Sequence, residues 1–527
     1  MTPAAPQATS RAPVSAVITA FRVPLRESLG VFALGLAWAL LVRPGPLSLP
    51  YFWDEADVYA PGAKWLADHD LDPTPGHFPD DWSRGHPQLL YVLAALAFRL
   101  FGPGPAIGHA LIVPFTALAI AATYVLGAER AGAHHGEPRA PHAQQGNAGA
   151  LHAQRGARIV GAGAALLIAT SPLFMSMGAF LLPEMPLTAL TALALVFTAR
   201  GQLVAAAAVG VALVALKETG VGPPIAIAGG LALEALRARA PRAALRSVAI
   251  ALTPVLALIV FFIWQRLTAG YFVFPHHQHL FTDRPFGLAN AVTVFPSMFL
   301  WDGRWIVTTA ALIAAVALIV RRDWPASLRP DATNLAILLL LLGNAVFFAK
   351  MFWLERYALP VHPGLCALMV VALVEAARLL PTRLLPTRLQ LLAAAAPCAV
   401  AATLGLSALR EPGEAAEHSF AFADIVESHR QAYARIAQLD VDDPIVVTTW
   451  PLTTELREPW LGFVETPVRS LHPDLLDQHA NTRPDVVLVD EGSHERDRLR
   501  ALARQYGLRL RSTVQRGSAP RLELWSR

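Results

Sequence analysis

Three carboxylates, Asp54, Glu55 and Asp57, stand among aromatics in the run Tyr51-Phe52-Trp53-Asp54-Glu55-Ala56-Asp57-Val58-Tyr59. The run follows the first apolar segment, so the acids lie where a chain leaves a bilayer. Gly85-His86-Pro87-Gln88-Leu89-Leu90-Tyr91 then opens another apolar stretch. Acids at a membrane surface beside a hydrophobic floor suit chemistry on a lipid-linked substrate, where a carboxylate takes the proton of an attacking hydroxyl. Further charges fall at junctions between apolar segments: Glu184, Lys217 with Glu218, Lys350, and Glu355 with Arg356. The connections at 180–185 and 217–219 are so short that their charges must sit near the hydrocarbon boundary. Charge there is costly unless it is paired or lines a watery cavity. Snorkelling or ion pairing, such as Lys217 with Glu184 or Glu218, would account for any one of them. Both signs at successive junctions point instead to one shared polar cavity. Lys217, Arg356 or a metal ion could stabilise charge on a leaving phosphate, and Glu184 could orient an acceptor or hold that metal.

The segments that must position these groups are mostly apolar. The 527 residues are 54% hydrophobic and 16% charged, with a mean hydropathy of +0.43, which points to a polytopic membrane protein rather than a soluble one. A net charge of +4, dispersed along the chain, gives no reason to expect nucleic acid. Cys366 and Cys398 both fall in apolar runs, so neither a disulfide framework nor a zinc site is expected. The first apolar segment reads as an anchor rather than a removed signal. Apolar runs long enough for ~30 Å of hydrocarbon predict about eleven membrane helices, near 28–46, 106–128, 159–180, 185–199, 203–217, 219–236, 247–268, 304–320, 333–352, 357–379 and 389–409. The run 88–101 is short, carries Arg99 and reads as an amphipathic helix in the interface.

Arginine placement gives an orientation. With residues 1–27 cytoplasmic, alternate connections hold Arg130 to Arg158, Arg237 to Arg246, Arg321 to Arg329 and Arg378 to Arg388. The expected organisation is a membrane domain over 28–409, with a first outer loop at 47–105 and a flexible cytoplasmic loop at 129–158. Residues 410–527 alternate polar and apolar, with strand-like 445–450 and 486–490 and helix-like 421–438 and 494–506, and read as a small α/β domain at the outer face. The fold class is thus an all-α polytopic membrane protein with a small C-terminal α/β soluble domain. The outer loop 269–303 holds His276, His277, His279 and Asp283, and its His-x-x-His spacing permits a divalent cation. Asp54 and Glu184 are the other metal candidates.

Asp54-Glu55 with Tyr59, His86-Pro87 before an apolar aromatic run, Pro183-Glu184-Met185-Pro186, Lys217-Glu218-Thr219-Gly220 and Arg356-Tyr357-Ala358-Leu359-Pro360 occur in that order. Together they resemble the GT-C membrane glycosyltransferases over roughly 28–380. The branch they resemble is that of lipid A aminoarabinose transferase and protein O-mannosyltransferase, with the rhizobial lipopolysaccharide transferases. The resemblance implies an inverting hexosyl or pentosyl transferase of the bacterial inner membrane. It would take a polyprenyl-phosphate sugar as donor and a lipid, glycan or protein as acceptor at the outer face. Asp54 inherits the role of base, with Glu55 or Glu184 supporting it. Lys217 and Arg356 are assigned to the donor phosphate, with Tyr357, and His86 to the cavity mouth. The sequence departs from the family in carrying Glu184 for Asp, Phe180-Leu181-Leu182 where a basic residue is usual, and Pro87-Gln88 for a double proline. A transporter of lipid-linked sugars would use similar charges, but it should carry ionisable groups near mid-membrane and repeated halves. A non-catalytic envelope assembly protein is the remaining class.

Overall fold

The computed structural model describes residues 22–527 other than 43–44, 46, 133–146, 276, 279–285, 322–324, 352–353, 381–385, 413–415 and 479–482. Helices dominate, because apolar runs with no water to satisfy their backbone must close their hydrogen bonds internally. Every expected span falls on a helix. Six are long and apolar enough to cross a membrane: Pro105–Gly132, Glu218–Arg237, Ala244–Ala269, Ala332–Lys350, Glu355–Arg378 and Leu389–Arg410. Glu184–Ala199, Leu203–Leu216 and Arg304–Val320 are shorter apolar helices. The remaining two expected spans are Leu25–Leu41 and Asn147–Ala169. The expected interfacial segment forms a helix, Leu89–Phe101, with Leu90, Tyr91, Ala94, Ala95 and Phe98 buried on one face.

Two expectations need correction. The loop assigned to 129–158 is largely helix in its described parts, since one helix runs on to Gly132 and the next begins at Asn147. Both ends are held by ion pairs: Glu129 meets Arg200, and Arg158 meets Glu27 at 2.7 Å. The connection 269–303, expected to be a loop, contains a further helix, Leu288–Phe299.

Near the end of the chain, a five-stranded sheet has the order β2-β1-β3-β5-β4. Its strands are β1 (Val446–Val447), β2 (Ser470–Leu471), β3 (Val486–Asp490), β4 (Arg509–Val514) and β5 (Leu522–Ser526). The first three are parallel, and β5 runs antiparallel to β3 and β4. This unit packs on the loop that follows the first helix. Tyr51 N–H donates to the Leu461 carbonyl at 3.0 Å, and the Phe52, Phe180 and Phe422 rings form an apolar seam with centroids 4.5–6.4 Å apart. The loop and the C-terminal unit therefore share one end of the helix bundle.

Candidate active site

Each charged group flagged in the sequence sits where a helix is interrupted. Trp53 adopts φ 58°, a left-handed conformation costly for a bulky residue. From that turn the chain enters the single π-turn Glu55–Tyr59 and then the helix Ala60–Asp68. Glu184 opens the helix Glu184–Ala199 behind Pro183. Lys217 is extended and ends Leu203–Leu216, ahead of the tight turn Glu218–Val221. Arg356 and Tyr357 belong to the turn Glu355–Val361, which carries Pro360 and leads into His362–Arg378.

These interruptions converge. The Arg356 guanidinium donates to Asp54 Oδ2 and, through Nη1, to Glu417 Oε1 at 2.7 Å. Its Nε lies 3.7 Å from Glu184 Oε1, and Lys217 Nζ donates to that same oxygen at 3.1 Å. The Tyr357 ring lies beside both cations, 4.7 Å from Lys217 Nζ and 5.6 Å from Arg356 Cζ. The side chains of Arg356, Glu184, Lys217 and Glu417 are at most 8% exposed, whereas Asp54 is 20% exposed. Asp54 is thus the member of the group that solvent and a substrate can reach. Within this cluster two of the described buried atoms, Glu184 Oε2 and Arg356 Nε, have no hydrogen-bonding partner. An acceptor and a donor left open in one buried cluster are costly unless something else satisfies them.

Two of the expected residues lie apart from this cluster. Glu55 does not join Asp54: its buried carboxylate accepts from the Phe52 N–H at 3.1 Å and the Leu181 N–H, and meets His109 Nε2 at 3.1 Å. Those contacts make Glu55 a brace of the loop. His86 Nδ1 pairs with Glu218 Oε2 at 2.8 Å and stands 5.0 Å from the His277 ring. Asp57 pairs with Arg84 at 3.0 Å, and burial raises its carboxyl above the usual range although Arg84 opposes this.

The sequence reading marked Glu355 but missed the line of charges that it joins beside Arg356. His418 meets Glu355 through Nδ1 and Asp302 through Nε2, and Arg304 holds Asp302 at 3.0 Å. Burial opposes the His418 charge, but the hydrogen bonds to Asp302 and Glu355 outweigh it and raise the imidazole to about 9. Burial pushes Glu417 up to about 7, with Arg356 pulling it back. Glu417 and His418 follow the last apolar run closely, and the boundary argument that marked Glu184 applies to them equally. Their assignment to a soluble domain concealed it.

Among the described residues, no group of three or more His, Cys, Asp or Glu could hold a metal ion. Asp54 and Glu184 face cationic side chains, which is the wrong surrounding for a divalent cation. His276, His279 and Asp283 lie outside the described residues.

No family model and no curated protein matches the sequence. Solved structures do match. ArnT from Cupriavidus metallidurans bound to undecaprenyl phosphate superposes with a TM-score of 0.54 at 16% identity, covering 94% of this chain and 97% of that one. The apo state of the same protein gives 0.55 at 15% identity with equal coverage. Identity this low speaks for architecture alone, and that architecture extends over nearly all of both chains: this protein has the fold of the ArnT structures, here a helix bundle with a small sheet at one end.

Proposed function

We propose that the protein is a membrane glycosyltransferase that moves a sugar from a polyprenyl-phosphate carrier to an acceptor hydroxyl, with inversion, at the outer face of a bacterial cytoplasmic membrane. The observation that carries this reading is the pair of buried cations, Lys217 and Arg356, bridged by Glu184 and set beside the reachable Asp54. A phosphate carrier needs cations where its leaving oxygen gains charge, and buried ones act without reorganising. The open Nε of Arg356 suits a phosphate oxygen, and the open Oε2 of Glu184 suits a sugar hydroxyl. ArnT, whose fold this chain shares, was solved bound to undecaprenyl phosphate, which supports a lipid phosphate of this kind as the carrier.

The roles follow from charge. With the carrier bound, Arg356 turns part of its hydrogen bonding to the phosphate and loosens its hold on Asp54. Asp54 then accepts the proton of the acceptor hydroxyl as that oxygen attacks the anomeric carbon. The carbon–oxygen bond to the phosphate breaks on the opposite face, and the carrier leaves as the phosphate anion between Lys217 and Arg356. Attack from the face opposite the leaving group inverts the anomeric centre. The arginine distribution supports an N-terminus inside, with the loop and the C-terminal unit outside.

The test is transfer of labelled sugar from a panel of polyprenyl-phosphate donors to envelope acceptors. Asp54→Asn should lose about 10²–10⁴-fold in turnover while still binding the carrier. Lys217→Ala and Arg356→Ala should lose carrier binding. Labelling that is unchanged in Asp54→Asn, or absent with every donor in folded wild type, sinks the reading.

A further inference from the structure

Glu417 comes from neither a membrane helix nor the sheet, yet its carboxylate is 5% exposed and lies 2.7 Å from the central guanidinium. The segment that carries it is held at two adjacent points. Ser176 Oγ donates to the Glu417 carbonyl at 2.7 Å, and His418 is clasped by Glu355 and Asp302. With the backbone held there and the carboxylate buried against Arg356, an adjustment of charge is the smaller change open to Glu417.

Counting charge shows that an adjustment is needed. Two cations, Lys217 and Arg356, face three carboxylates, Asp54, Glu184 and Glu417. A carrier phosphate adds another anion to a cluster with little access to water, where unpaired charge is strongly disfavoured and the cheapest remedy is protonation of one acid. Glu184 keeps Lys217 whatever Arg356 does, and Asp54 is the most exposed of the three acids. Among the described residues Glu417 has Arg356 as its one ion-pair partner, so it loses most when a phosphate competes for that guanidinium.

Resting on the reading above, we propose that Glu417 is a proton-linked positioning residue for the lipid phosphate. It holds Arg356 in place in the free protein and takes up one proton from solvent when a polyprenyl phosphate engages that guanidinium. The proton returns to solvent when the carrier leaves. Every charged group around Glu417 bears on this step. Arg356 and Glu355 face it from the turn before His362, Asp54 from the first loop and Glu184 from its helix, while Ser176 contributes no charge. His418, the next residue, is already held by Glu355 and Asp302, with Arg304 behind them. Glu417 titrates in the free protein at about 7, so it is largely ionised at pH 8 and has a proton to gain.

The experiment is the pH dependence of undecaprenyl phosphate binding to the full chain in detergent, for wild type and Glu417→Gln. Wild-type affinity should be tightest below pH 7 and fall above it, by at most about tenfold per pH unit for one linked proton. The phosphate's own second proton leaves near pH ~6 and affects both proteins alike, so the difference between their slopes isolates Glu417. The Gln variant should lose the extra slope, whereas the same slope in both overturns the inference. If the variant does not fold, calorimetry of wild type at pH 8 in two buffers of different ionisation enthalpy decides. Uptake on the order of one proton supports the proposal, and no uptake overturns it. Absence of saturable binding in wild type at every pH would instead sink the functional reading beneath it.

Discussion

Arg356 serves three carboxylates at once, which makes its shape as important as its charge. A lysine at this position keeps the charge but lacks the planar fork that reaches several acceptors in fixed directions. Arg356→Lys should therefore weaken carrier binding by at least about tenfold, near 1.4 kcal/mol, as measured by titration with undecaprenyl phosphate. His418 gives a prediction in pH. Its imidazole is raised from an ordinary 6.5 to about 9, so the folded protein binds the extra proton. That contribution is complete below pH 6.5 and is lost as pH rises to about 9, an effect on the order of 3 kcal/mol. Thermal melts of wild type should drop over that interval, and His418→Gln should flatten the drop. Asp54, Glu184, Lys217 and Arg356 were all visible in the sequence, because charge at a hydrocarbon boundary demands an explanation. Glu55 was the misleading one. Its neighbours in sequence suggested a catalytic pair, but side chains one residue apart leave a helical turn in different directions, and Glu55 turns inward to His109.

The helices are the part that hydropathy reveals most directly, and their ends do the positioning. The hydroxyl end of the Tyr51 ring presses on Gly108, where a Cβ would overlap it, and its hydroxyl donates to the Gly104 carbonyl at 3.0 Å. That contact seats the loop on the helix Pro105–Gly132, two residues ahead of the left-handed turn at Trp53. Gly108→Ala should force the ring outward and cost about 1–3 kcal/mol. A lowered melting temperature, with transfer reduced more than carrier binding, would mark a displaced Asp54. Full activity at unchanged stability would refute this account of the loop. The conformation of Trp53 and the added helix Leu288–Phe299 were not legible. Turn geometry and short interfacial helices depend on what they pack against, and that partner is far away in sequence.

The C-terminal unit completes the site rather than decorating it. Its approach supplies Glu417 and His418, and the seam of Phe52, Phe180 and Phe422 ties it to the loop that carries Asp54. Phe422 is 3% exposed, so Phe422→Ala should cost about 3–5 kcal/mol at the seam. The expected readout is faster proteolysis between the last membrane helix and the sheet, together with loss of transfer. A variant as protease-resistant and active as wild type would show that the seam is dispensable.

Some of this was already present in the order of the residues. Apolar length announces a helix bundle, because hydrocarbon admits little else. Charge at the helix junctions announces that those groups must find partners, because unpaired charge there is expensive. Which carboxylates share Arg356 could not be read that way. Asp54 and Arg356 lie 302 residues apart, and Arg356 and Glu417 lie 61 apart. Local pattern carries no record of such pairings; they are made when the helices and the C-terminal unit pack together and bury the charges against one another.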